Sequence, residues 1–118
     1  MPRFVVLRHD SPQGLHFDLM LETGEALRTW ALPEPPGPGV EMIGDALPDH
    51  RPAYLDYEGP VSGGRGWVTR FDRGTYRIER QGESELIVEL AGEQLAGRAT
   101  LCRLPEEPSR WRFSFTAD

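Results

Sequence analysis

From His16 the chain reads His-Phe-Asp-Leu-Met-Leu-Glu. Successive side chains of an extended strand point to opposite sides, so this alternation puts His16, Asp18, Met20 and Glu22 on one face and Phe17, Leu19 and Leu21 on the other. The same period of two marks Phe4 to Arg8, Leu27 to Leu32, Gly66 to Phe71, Tyr76 to Arg80, Glu85 to Leu90, Ala99 to Leu104 and Trp111 to Phe115. Turn signals at Thr23-Gly24, Asp72-Arg73-Gly74 and Gly82-Glu83-Ser84 separate these runs. Helical spacing is nearly absent, so any helix should be short. Short strands joined by tight turns predict an all-β chain, closed as an antiparallel barrel or packed as a sandwich.

Three stretches break the alternation. Pro33 to Gly39 holds four prolines and two glycines and should be an irregular connection. Pro48 to Pro52 should be a second irregular segment, carrying His50. The third, Ser62-Gly63-Gly64-Arg65-Gly66, has the permissive backbone of a flexible or phosphate-approaching loop. None is long enough to be a linker, and 118 residues is the size of one ordinary domain, so residues 1–118 are expected to form a single domain.

Composition narrows the setting. No segment approaches the roughly 18 to 20 apolar residues of a membrane span, and Phe4 to Leu7 is too short for a secretory core. The single cysteine, Cys102, sits in a strand-like run and suits a reducing compartment. A soluble, cytoplasmic, monomeric protein is the expectation. The net charge of -6 argues against broad phosphate-backbone binding but leaves room for a local anion site. All thirteen basic residues are arginine, scattered along the chain.

The candidate chemistry lies in the histidines. His9 ends the first run, His16 opens the next with Asp18 on its face, and a turn through Ser11-Pro12-Gln13-Gly14 would bring His9 back toward them. Imidazole plus carboxylate suits borderline divalent metals, and three protein ligands leave positions open for water and substrate. By itself this pattern fits a metal site or ordinary solvated histidines. Asp56 and Glu58 read as solvated or structural, and Trp30, Trp67 and Trp111 as packing residues.

The order of motifs adds context. His9-Asp10-Ser11-Pro12-Gln13-Gly14-Leu15-His16-Phe17-Asp18, then Trp30-Ala31-Leu32-Pro33, then Asp49-His50-Arg51-Pro52-Ala53-Tyr54-Leu55-Asp56-Tyr57-Glu58-Gly59, and finally Phe71-Asp72-Arg73-Gly74-Thr75-Tyr76 follow one another along nearly the whole chain. This series resembles the 3'-phosphoesterase domain of bacterial DNA ligase D. The resemblance implies an eight-stranded antiparallel barrel, partly polar inside, with a manganese-dependent site that trims DNA 3' ends. Such an enzyme removes a terminal ribonucleoside and then the 3'-phosphate, acting on DNA or RNA–DNA ends and leaving a 3'-hydroxyl for a repair polymerase or ligase. By position His9, His16 and Asp18 would hold Mn2+ or another divalent metal. His50 would contact the scissile phosphate and protonate the leaving oxygen, with Tyr54 orienting it.

The chain departs from the family at Met20, where the family carries an arginine facing the site. Arg65, Arg51 and Arg8 are the residues that could supply the missing guanidinium to the phosphate. Two other readings follow. A barrel without efficient catalysis would bind nucleic-acid ends or repair partners. A two-histidine, one-carboxylate iron oxygenase would use His16, Asp18 and His50.

Overall fold

The alternating runs become nine strands in the computed structural model, which describes residues 1–118. They are β1 (Arg3–Ser11), β2 (Gly14–Thr23), β3 (Ala26–Leu32), β4 (Glu41–His50), β5 (Gly59–Pro60), β6 (Trp67–Gln81), β7 (Glu85–Gly92), β8 (Ala96–Leu104) and β9 (Glu107–Ala117). All belong to one antiparallel sheet in the order β1-β2-β3-β4-β9-β8-β7-β6, and β1 pairs back onto β6 to close an eight-stranded ring. The short β5 adds to β6 beside the ring. The only helix is a single 3-10 turn at Pro52–Leu55, so the all-β, barrel-like expectation holds.

One face of every ring strand fills the interior. Phe4 and Val6, Phe17, Leu19 and Leu21, Trp30 and Leu32, Met42, Tyr76, Leu86, Val88 and Leu90, Ala99 and Leu101, and Trp111, Phe113 and Phe115 form one buried cluster. Polar groups enter it in few places. The Arg28 guanidinium lies 4.8 Å from the Trp30 ring and 5.4 Å from that of Trp111, and Tyr76 donates its hydroxyl to the Glu22 carbonyl at 2.7 Å. Trp30 and Trp111 are thus packing residues; Trp67 is not, being 52% exposed.

Two local expectations are corrected. Asp72-Arg73-Gly74 is no turn: β6 runs unbroken through it, pairing with β1 up to Thr75 and with β7 from Gly74 onward. Gly74 lets two neighbouring strands close in there, since a Cβ would run into the Ala91 carbonyl. Asp72 is buried, and its carboxylate accepts the backbone N–H groups of Glu93, Gln94 and Leu95, so it caps the β7–β8 turn. Pro48 to His50, expected to be irregular, completes β4. There β4 still pairs with β3, Leu27 opposite His50, whereas its pairing with β9 ends at Asp45. That free edge tolerates Pro48, which has no N–H to offer a neighbour.

The outer face of β1, β2, β3 and β6 is also apolar in part. Val5, Leu7, Met20, Leu27 and Val68 would face water but are covered by Leu55 and Val61 from the segment 51–61, making a second buried cluster. Burying one leucine contributes about 1.5 to 3 kcal/mol, so Leu55 is the main pin of this strap. Arg3 pairs with Asp56 at 2.6 Å, and Glu58 accepts the Arg70 backbone N–H at 2.7 Å. Asp56 and Glu58 therefore have structural partners.

Candidate metal centre and adjoining cavity

The β1–β2 hairpin sets His9 opposite His16 and Leu7 opposite Asp18, so both histidines and the aspartate emerge on the outer face, on the diagonal of one ladder. Their ligand atoms all lie within 4.8 Å of one another. The two imidazole centroids are 4.6 Å apart. Asp18 lies between them, its Oδ2 3.3 Å from His9 Nδ1 and its Oδ1 3.1 Å from His16 Nε2.

Hydrogen bonding assigns the protons. His9 Nε2 is 2.7 Å from the Arg65 carbonyl oxygen, which can only accept, so Nε2 carries the hydrogen. In the neutral ring Nδ1 then turns its lone pair toward Asp18 Oδ2, an unfavourable approach that a cation between them would reverse. Asp18 is only 2% exposed, and its Oδ1 has no hydrogen-bond donor aligned on it. A buried carboxylate oxygen without a donor is costly unless a positive charge meets it. The residues present thus fit a divalent ion held by His9 Nδ1, His16 Nε2 and Asp18. The close side-chain contact with Asp18 raises the His16 pKa above that of an ordinary imidazole, with burial opposing it.

Beside these ligands opens a cavity of about 360 Å³ with His9, Asp18 and Met20 on its floor. Its other walls bring His50, Arg51 and Tyr54 from the end of β4 and the strap, and Arg65 from the glycine-rich loop. His50 Nδ1 is 3.0 Å from the Pro48 carbonyl and so carries the hydrogen, which leaves Nε2 free. The His50 and Tyr54 rings meet edge to face, 5.7 Å apart. His50 is outside the ligand cluster, so the oxygenase grouping of His16, Asp18 and His50 is not the one the fold assembles.

Of the expected guanidinium donors, Arg51 and Arg65 line the cavity. Arg8 does not; it points away and approaches Asp10 at 3.6 Å. Arg65 is partly engaged, its Nε donating to the Ser62 carbonyl at 2.7 Å and an Nη to the Ser62 hydroxyl at 3.2 Å. Met20 is 1% exposed and packed among Val5, Leu7 and Leu27. It is an apolar floor rather than a gap left by a lost arginine.

Sequence reasoning missed the role of the Arg65 backbone, since a carbonyl acceptor leaves no mark in residue type. Gly66 makes it possible: its φ is +100°, and a Cβ there would collide with the Asp10 carbonyl and Ser11 Cα of β1. Gly66→Ala should push the loop off β1, withdraw the Arg65 carbonyl from His9 and weaken metal binding about 10- to 100-fold, the usual cost of losing an outer partner of a ligating histidine. Calorimetric titration with Mn2+ checks this.

Against known proteins, residues 7–103 match the family model described as the DNA Ligase D 3'-phosphoesterase domain. The multifunctional non-homologous end joining protein LigD of Pseudomonas aeruginosa is 35% identical over 92% of this chain. The protein of the same name from Mycobacterium bovis, and the non-homologous end joining DNA repair protein LigD of Mycobacterium tuberculosis, are each 32% identical over 85% of it. The chain spans only 14% of the length of each of these relatives.

Proposed function

Since the chain belongs to the DNA ligase D 3'-phosphoesterase domain family, we propose that it is a metal-dependent phosphoesterase that clears DNA 3' ends for repair, removing a terminal ribonucleoside or a 3'-phosphate. The observation that carries this reading is the gathering of His9, Asp18, His50, Tyr54 and two arginines around one cavity on the outer face. A divalent ion, Mn2+ in our reading, would polarise phosphoryl oxygens and lower the pKa of bound water.

The chain's own residues do the rest. Arg51 and Arg65 hold phosphate oxygens. In its doubly protonated form His50, with Nδ1–H tied to Pro48, passes the Nε2 proton to the leaving oxygen and is left as the neutral Nδ1–H ring, while Tyr54 packs edge to face against it. An outer-face site also suits a DNA end, which could not enter a filled barrel.

The test is a Mn2+ titration with primer-templates ending in a 3'-phosphate or a single 3'-ribonucleotide, resolved on a sequencing gel. Metal-dependent appearance of a 3'-hydroxyl end supports the reading; intact primers at all metal concentrations overturn it. The buried Met20 favours a second reading, a barrel that binds 3' ends in repair without turning them over, and the same gel with a binding assay separates the two.

Met20→Arg gives a further expectation. The guanidinium must leave the apolar cluster and extend into the cavity, so stability should fall by about 1 to 3 kcal/mol, as for other overpacked sites. If it reaches the phosphate, one added bidentate contact should raise kcat about tenfold or more. Denaturant unfolding and steady-state kinetics on a 3'-phosphate primer measure both; lower stability with no gain in kcat would show that this face makes no phosphate contact.

A further inference from the structure

A second cavity, of about 290 Å³, adjoins the first and shares Arg51 and Tyr54 with it. Its remaining walls include Ala53, Tyr57 and Pro60, all exposed or nearly so. Nothing in the metal chemistry uses it. We infer that this cavity is a nucleobase subsite, which takes the base of the 3'-terminal nucleoside whose phosphate lies beside His50. The inference rests on the phosphoesterase reading above and names the part of the substrate that the second cavity receives.

The aromatic geometry carries the argument. His50, Tyr54 and Tyr57 form a chain of rings with centroids 5.7 and 5.8 Å apart, each pair close to perpendicular. Tyr54 lines both cavities, with His50 beside it in the first and Tyr57 beside it in the second. Two perpendicular rings leave an open corner in which a flat heterocycle lies on one face and meets the other ring edge-on.

Tyr57 is free to serve as such a platform. It is 37% exposed, and its hydroxyl is bonded to the Pro60 carbonyl, which holds the ring in place across the strap. A pre-oriented ring loses little freedom when a base settles on it. Every base has an aromatic face, so such a corner accepts any of them, as an enzyme acting on ends of arbitrary sequence requires. Arg51 stands at the junction of the two cavities, where it can hold the phosphate while its plane covers the sugar.

The test uses a 5'-fluorescent single-stranded DNA ending in a 3'-phosphate, with either a normal or an abasic terminal nucleotide, binding being read by fluorescence anisotropy in Mn2+. The wild type should bind the normal end about tenfold more tightly, the usual scale of one stacked base. Tyr57→Ala should erase that preference, Tyr57→Phe should largely keep it, and Ala53→Trp, which fills the cavity from an exposed position, should erase it without changing affinity for the abasic end. Equal binding of both ends by the wild type overturns the subsite, as does a preference that survives Tyr57→Ala and Ala53→Trp. Turnover is followed separately on the same ends: hydrolysis without base preference refutes the subsite alone, and base preference without hydrolysis refutes the phosphoesterase reading alone.

Discussion

Asp18→Asn should abolish divalent-metal binding while leaving the metal-free fold, at alkaline pH, at least as stable as the wild type. The side chain is almost wholly buried, with one oxygen lacking a donor and the other facing the His9 Nδ1 lone pair. Without a cation this is a buried charge in poor company, and its removal relieves desolvation. With metal the sign reverses. A ligand at a hundred times its dissociation constant stabilises the folded state by about 2.7 kcal/mol, which in a chain of this size is roughly 10 °C in Tm. Thermal unfolding with and without Mn2+ should show that shift for the wild type and none for the variant.

The pH dependence adds a check. Asp18 raises the folded-state pKa of His16, so in metal-free protein their pair stabilises the fold fully below the unfolded imidazole value of about 6.5. That contribution is lost as pH rises through the raised folded value. Asp18→Asn should therefore cost stability in acid and none in base, and the proton on His16 should make metal binding weaken on acidification. A variant that still gains Tm with Mn2+, or that is several kcal/mol less stable at alkaline pH, would remove Asp18 from the metal centre.

The parts of this arrangement that were legible in the sequence are those that alternation controls. A period of two fixed the shared face of His16, Asp18 and Met20, and the Pro12-Gln13 turn brought His9 opposite His16 as expected. Alternation does not say which face of a strand is inside, however. Leu7 and Met20 look like core residues in the chain and are core residues of a separate cluster, because the strap 51–61 covers the outer face. That covering is a long-range event with only Leu55 and Val61 to announce it. Asp72-Arg73-Gly74 has turn composition and reads as a break between two strands, whereas in the long β6 its glycine serves a close strand approach and its aspartate caps a distant turn. Pro48 misled for the same reason: proline excludes a central strand but not the free edge that β4 has beyond Asp45. His50 and Tyr54 are marked by resemblance to a family motif, and the fold sets them on one cavity with His9 and Asp18 of the candidate metal cluster.

His50→Ala should lower kcat/KM for 3'-phosphate release about 10²- to 10⁴-fold, the range over which a positioned proton donor acts, with Mn2+ affinity unchanged. His50 lines the same cavity as His9 and Asp18 but is outside their cluster, so its removal opens space without taking away one of those three groups. Its ring is oriented by two contacts unrelated to the metal, Nδ1–H to the Pro48 carbonyl and the edge-to-face packing on Tyr54. When the ring carries both protons, Nε2–H is the group that can pass one to an alkoxide leaving group, and an alkoxide such as a nucleoside 3'-oxygen is a poor leaving group that needs one. A nitrophenolate does not. The defect should therefore be large on a DNA 3'-phosphate and small on p-nitrophenyl phosphate. Equal losses on both substrates would make His50 a phosphate ligand rather than an acid, and a parallel loss of Mn2+ affinity would place it in the metal's coordination sphere.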